Sequence, residues 1–183
     1  MLDSILADRD MVVDIVKNGT MLIVARLLSG SSLNNNMWEI STLYILIGFA
    51  VYHIAIKRIV PNHLIHNSAL KNAARTIFRL GTMFIVAKIL SREKMSKEWI
   101  KSVLYVIVGY VVFDLVIKRI VPIKDITNTQ INYLVTDILL MITVALVSRL
   151  LEQKSLYDKS WLLSVLFTII GFGVYDIGVS NFI

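Results

Sequence analysis

The chain contains no cysteine and only two prolines. Without thiols there can be no disulfide framework, thiolate metal site or cysteine nucleophile. No G-x-S-x-G, H-E-x-x-H or phosphate-loop pattern occurs, so no hydrolase, zinc peptidase or nucleotide-binding chemistry is indicated. The reading is therefore a non-enzyme without cofactor or metal. Charged residues are also scarce, at 17% of 183 residues. The start, Met1-Leu2-Asp3-Ser4, lacks the basic region and small-residue cleavage site of a signal peptide, so the first helix is expected to stay in the mature protein.

What is abundant is apolar side chain. Hydrophobic residues make up 56% of the chain and mean hydropathy is +0.71. They collect into blocks separated by short loops, the pattern of a multi-pass integral membrane protein rather than of a soluble core. The net charge of +6 resides largely at block ends, where bilayer headgroups are the natural partners. No basic stripe is interleaved with exposed aromatics, so no nucleic-acid partner is expected. Membrane lipids are expected partners, together with protein partners or further copies of the chain.

A repeat organises the sequence. GTMLIVARLLS at Gly19–Ser29 matches GTMFIVAKILS at Gly81–Ser91 at 8 of 11 positions. After Trp38 and Trp99, EISTLYILIGFAVYHIAIKRIVP and IKSVLYVIVGYVVFDLVIKRIVP agree at 11 of 23. A third copy keeps the spacing. Thr20, Thr82 and Thr143 each precede Arg26, Lys88 or Arg149 by six residues, and Trp38, Trp99 and Trp161 each precede Gly48, Gly109 or Gly171 by ten. Five residues beyond each glycine stands His53, Asp114 or Asp176.

Each copy reads as a hairpin of helix A, a short loop and helix B. The hairpins run over about 11–61, 72–122 and 131–183 of a single membrane domain, 1–183. Helix B spans about Trp38–Val60, Trp99–Val121 and Trp161–Asn181, each opening with an interface-favouring Trp. The first two close on Lys-Arg pairs and on Pro61 or Pro122, which end a helix. Helix A spans about Val12–Leu28, Thr76–Leu90 and Ile131–Leu151. Its embedded charges make it a poor span alone, at roughly 2.5–3.5 kcal/mol per central charge. However, Met21–Ala25 and Ile138–Ile142 are apolar on every face, unlike an interfacial helix. The expected fold is all-α, with six transmembrane helices as three parallel repeats of a hairpin. Two arrangements fit: a pseudo-threefold bundle about the membrane normal, or a linear row of hairpins.

Depth can be counted at ~1.5 Å per residue. That count places Asp14, Lys17, His53, Arg79, Asp114, Asp137 and Asp176 in one polar layer, away from the hairpin loops. These residues can satisfy one another: Arg79 with Asp114, Asp114 with Lys118 at i+4, and Asp14 with Lys17 and His53. Such pairing would hold helices A inside and leave helices B facing lipid. Asp137 and Asp176 have no evident cation, so one of two adjacent carboxyls would hold a proton. That is the feature of a proton or cation relay.

Gly48, Gly109 and Gly171 lie within rows Tyr44-Gly48-Tyr52, Tyr105-Gly109-Phe113 and Phe167-Gly171-Tyr175, which read as packing seams. Arg26, Lys88, Arg149, Trp38, Trp99 and Trp161 read as interface anchors. His63-Leu64-Ile65-His66 lacks a carboxylate at ligand spacing. Asn18-Gly19-Thr20 matches a glycosylation sequon but lies inside a span. Ten Lys/Arg on the termini side against nine on the loop side leave orientation open.

The six-helix plan lacks the P-x-[DE]-x-x-[KR] signature of mitochondrial carriers. GTMLIVARLLSG, GFAVYHIAIKRIVP and GYVVFDLVIKRIVP instead resemble small multi-pass proteins of the inner membrane of large double-stranded DNA virus particles. The resemblance implies a structural role in a virion inner membrane and carries no catalytic residue. Two functions follow as expectations: a non-enzymatic structural membrane protein, or a small channel or proton-coupled transporter using the carboxylate layer.

Overall fold

The computed structural model describes residues 9–59 and 67–183, without the side chain of Lys124. Val60, Pro61, His63 and His66 lie outside the described residues, as does the start of the chain. Six long helices account for nearly everything described: α1 Arg9–Leu28, α2 Asn36–Val51, α3 Ser68–Leu90, α4 Lys97–Val112, α5 Thr129–Leu151 and α6 Lys159–Val174. No strand occurs among the described residues.

The ends of these helices have local causes. Asn35, Ser96 and Asp158 cap α2, α4 and α6, each three residues before a Trp, with side-chain oxygens accepting backbone N–H groups. Asn67 and Asn128 cap α3 and α5 in the same way. The ends of α1, α3 and α5 pass into left-handed residues at equivalent places: Gly30 (φ 68°), Arg92 (φ 55°) and Gln153 (φ 55°). Only the first copy has the glycine that suits such an end. Helix α3 begins eight residues before the expected Thr76, because Asn67 caps it and Ser68–Arg75 is helix-compatible although too polar to look like a span.

Helices α2, α4 and α6 do not run on uniformly. Each widens into a π-helical turn, at Tyr52–Ile56, Phe113–Ile117 and Tyr175–Val179. Each turn begins four residues after Gly48, Gly109 or Gly171 and carries His53, Asp114 or Asp176.

The helices contact one another in chain order, and α6 returns to α1, so they close a ring. This excludes the linear row. The closest packings are α2 on α3, α4 on α5 and α6 on α1. At each of these the glycine meets backbone. A Cβ on Gly48 would stand 2.6 Å from Met83 Cα, one on Gly109 2.7 Å from Val144 Cα, and one on Gly171 2.8 Å from Met21 Cα. Met21, Met83 and Val144 each follow the threonine of their copy.

The expectation that helices A lie inside and helices B outside does not hold. Phe49, Tyr52, Phe113, Phe172 and Tyr175 of α2, α6 and the π turns after α2, α4 and α6 are among the most buried residues, beside Leu80, Met83 and Val144 of α3 and α5. The glycines explain this, since they let the B helices approach as deeply as the A helices. The outer surface carries exposed Ile, Leu and Val from all six helices.

Among the described residues, four helices are long and apolar enough to cross a membrane: Asn36–Ile56, Lys97–Ile120, Thr129–Leu151 and Lys159–Phe182, each taken with its following turn where it has one. Embedded charge excludes α1 and α3 from that set.

Candidate functional site

The ring brings the polar residues together at one level, through pairings that the sequence does not give. Asp14 on α1 accepts from Arg79 Nη1 on α3 at 3.1 and 3.3 Å. It also meets His53 Nε2, on the π turn after α2, at 2.9 Å. A carboxylate held by a guanidinium is an acceptor, so Nε2 carries the hydrogen that faces it. Arg79 therefore joins Asp14 rather than Asp114. The reason is architectural: α3 leans on α2, and its inward face meets the first copy.

Asp114 is instead held by its own helix. Lys118 Nζ donates to it at 2.5 Å, one turn on, and Thr76 Oγ1 donates at 3.2 Å from α3. Asp137 and Asp176 do have a cation. Lys17 Nζ from α1 contacts Asp137 and lies 3.6 Å from Asp176 Oδ1. Lys17 is thus drawn away from Asp14 by the closure of α1 on α6. The same ammonium lies 5.6 Å from the ring centroids of both Phe172 and Tyr175. Asp176 is only 2% exposed, the least exposed charged residue among the described residues.

Tyr110, on α4, stands among these clusters, within electrostatic reach of Arg79, Asp14, Asp114 and Asp137. Sequence reasoning passed over it. Its signal was position: it directly follows Gly109, where the other copies have Phe49 and Phe172. Thr76 carried a weaker signal, and the π turns none. The turns contain no proline, and only the last contains a glycine.

A polar vestibule of about 560 Å³ opens beside the first cluster, lined by α1, α3 and the segments at and just beyond the π turns that follow α2 and α4. Asp10, Asp14, Tyr52, His53 and Lys57 lie on one side. Asn72, Arg75, Thr76, Arg79, Asp114 and Lys118 lie on the other. Lys57 Nζ donates to Asp10 Oδ2 at 2.9 Å within this lining.

The loop ends have their own repeated device. Arg26, Lys88 and Arg149 lie over the rings of Trp38, Trp99 and Trp161 at 5.6, 5.5 and 5.2 Å. Arg26 Nε also donates to Ser32 O and Arg149 Nε to Ser155 O, at 3.1 and 2.9 Å, while Lys88 pairs with Glu93. These residues clamp each hairpin closed, a role that an anchoring position alone does not reveal. In the last loop Asp158 is held down to about 2 by the Ser160 hydroxyl, the backbone N–H groups of Trp161 and Ser160, and Arg149.

Among the described residues no group of three or more His, Asp or Glu is placed to hold a metal ion. No protein-family model, curated protein or solved structure matches the chain.

Proposed function

We propose that the protein is a non-enzymatic structural membrane protein. In this reading it crosses the bilayer six times as three parallel hairpins around a pseudo-threefold axis, and its charge layer locks the ring. The observation that carries the reading is Lys17 between Asp137 and Asp176. A relay needs a carboxyl free to exchange its proton, whereas this pair is engaged by an ammonium from the opposite end of the chain. Each carboxylate of the layer has a basic partner, so the layer acts as internal glue. Breaking such a buried set costs much more than forming it gains.

Connectivity supports the reading of six spans over the four that length and composition give. The π turns after α2 and α4 both line the vestibule, through His53 and Asp114. A chain whose second and fourth helices end at one level must return between them, and α3, at 23 residues or about 34 Å, is long enough to do so. Helix α1 is held along α6 in the same way that α3 is held along α2. The basic loop clamps and the exposed apolar flanks suit a protein that packs among lipids and protein partners or further copies of itself. The likeness noted above would place it in a virion inner membrane.

The alternative is a small channel or proton-coupled transporter, and one observation favours it: the vestibule brings an open polar space up to Asp14 and Asp114. Reconstitution separates the two. Purified protein in liposomes, placed under a pH gradient and then a potential, is expected to give no proton or cation flux above empty vesicles. Flux that disappears in Asp137→Asn/Asp176→Asn would establish the alternative. Because the chain has no cysteine, single cysteines introduced into the three hairpin loops give a clean accessibility map. All three are expected on one face, and labelling from opposite faces would overturn the six-span topology.

A further inference from the structure

We propose that Asp137 and Asp176 together bind one proton, and that this proton latches the ring where α1 closes on α6. The proposal rests on the reading that the charge layer locks the ring, and it narrows that lock to one seam.

Charge and contact distinguish this pair from the rest of the layer. In the other two clusters a carboxylate has a cation of its own: Asp14 meets Arg79, and Asp114 meets Lys118. Here a single ammonium, Lys17 Nζ, serves two carboxyl groups. The two also lie within hydrogen-bond reach of each other. Ionised carboxylates only accept, so two of them in such contact repel, whereas one bound proton turns the contact into an O–H···O bond. The set of Lys17, Asp137 and Asp176 is then electrically neutral. Asp176 Oδ2 is buried and meets no donor among the described residues, which an ionised carboxylate tolerates poorly. The other titratable groups around the pair bring no second cation. Tyr110 of α4 and Tyr175 of the π turn stand within electrostatic reach, and Asp14 of α1 is itself held by Arg79 and His53. The side chain of Asp137 is 10% exposed and that of Lys17 21%, which leaves the proton a way in and out.

Position makes this proton mechanical. Of the three tight seams, α2 on α3, α4 on α5 and α6 on α1, the last is the one that no connecting segment bridges, because it joins the two ends of the ring. It can open without stretching the chain. Lys17 lies one turn before Met21, whose backbone meets Gly171, so the latch stands beside the closest approach of α1 and α6. With the proton in place, Lys17 draws α1 onto both acids. Without it the buried set carries a net negative charge, and parting the seam relieves the imbalance by letting water reach the carboxylates. Raising the pH through the titration of the pair therefore loosens this seam, and lowering it restores closure.

The test uses the full chain in mild detergent and reads the proton and the seam separately. Because the chain has no cysteine, nitroxide labels can be attached through Ile23→Cys and Leu166→Cys, two exposed positions of α1 and α6. The equivalent positions of the α2–α3 seam, Leu43→Cys and Ile85→Cys, are the control. Double electron–electron resonance follows both distances as the pH is raised. The α1–α6 distance is expected to lengthen reversibly while the α2–α3 distance stays constant. Infrared spectra of the unlabelled protein are expected to show a carboxylic-acid carbonyl band that is lost over the same pH window and is missing from Asp137→Asn and Asp176→Asn. Asparagine imitates the protonated acid, so Asp176→Asn should keep the α1–α6 distance short throughout, and circular dichroism verifies that each variant is folded. An α1–α6 distance that ignores pH, two distances that change together, or a band that survives in both Asn variants would overturn the proposal. The broader reading fails separately: if Lys17→Met unfolds at the wild-type temperature, the layer is no lock, whereas a lowered Tm in Lys17→Met beside a pH-independent seam removes the latch alone.

Discussion

Replacing Gly109 by alanine tests the packing of the ring at a point where the geometry is explicit. The new methyl carbon would stand 2.7 Å from Val144 Cα and 3.2 Å from Val144 O. Carbon atoms at rest are ~3.5–4.0 Å apart, so α4 and α5 must separate by most of an ångström or shift along each other. No side-chain rotation relieves this, because the obstacle is backbone. Overpacking of this kind costs about 1–3 kcal/mol. Alanine's better helix propensity returns up to about 1 kcal/mol. A net loss of about 1–2 kcal/mol is expected, or roughly 2–8 °C in Tm at about 2–4 °C per kcal/mol for a chain of this size. Gly48→Ala and Gly171→Ala should behave alike, since their methyl groups would meet Met83 and Met21 backbone at 2.6 and 2.8 Å. Gly81→Ala is the control. It lies within α3 with nothing within 4 Å of the added carbon, so it should be neutral or stabilising. Thermal unfolding of the purified protein in mild detergent, followed by circular dichroism, reads the difference. If the three seam variants unfold no earlier than Gly81→Ala, the close approach of the helix pairs is wrong.

Four further outcomes are expected. Lys17→Met should lower stability by about 3–5 kcal/mol by leaving buried carboxylates without a cation, and adding Asp137→Asn should recover part of the loss; equal Tm for the single and double variants would refute this. Arg92→Gly and Gln153→Gly should each raise stability by about 1 kcal/mol, since both side chains sit at φ 55°, whereas Gly30→Ala, at φ 68°, should lower it. Asp158 has its folded value depressed from 3.8 to about 2, so its contribution is present above the unfolded value and is lost as pH falls through about 2; the amide resonances of Ser160 and Trp161 should shift over that window, and an unshifted titration near 3.8 would contradict the loop geometry. Leu140→Lys and Thr76→Asp should each destabilise alone but couple favourably by at least about 1 kcal/mol together in a double-mutant cycle.

Much of the fold is legible in the sequence because the repeat writes it three times. The starts of α2, α4 and α6 follow from a capping residue three positions before each Trp. Gly48, Gly109 and Gly171 stand where aromatic rows need a gap, and the structure places backbone against each of them. The polar residues are legible as a set, since all are counted from the same interface. Their partners are not. Periodicity within a hairpin says nothing about which copy lies across the ring, so Lys17 reads as Asp14's neighbour until α1 is seen packed on α6. The start of α3 is hidden for another reason. Ser68–Arg75 is polar, and hydropathy finds spans rather than helices. The π turns leave no sequence trace of their own, because their backbone change is absorbed by ordinary residues between Gly48 and Lys57 and their counterparts.

Comparison of the copies explains why the charge layer has the pattern it has. Lys17 of copy one serves the acids of copy three, Asp137 and Asp176, and Arg79 of copy two serves Asp14 of copy one. Continuing the cycle, the third copy should offer a cation to the second, at the position of Leu140. It does not, and the acid that such a cation would face on helix A is also missing, because Thr76 stands there. The two departures offset each other in charge. The one acid left on that side, Asp114, is met by Thr76 and by Lys118 from its own helix. A lysine at position 140 would place a second ammonium beside Lys118 with one carboxylate between them. An aspartate at position 76 without that lysine would leave two carboxylates with one cation. Inside a bundle either imbalance costs several kcal/mol, far more than a surface pair is worth, so the two positions are constrained together rather than singly. The vestibule belongs to the same departure. Because copy three supplies no bridging cation to copy two, Thr76 and Asp114 face open space shared with copy one.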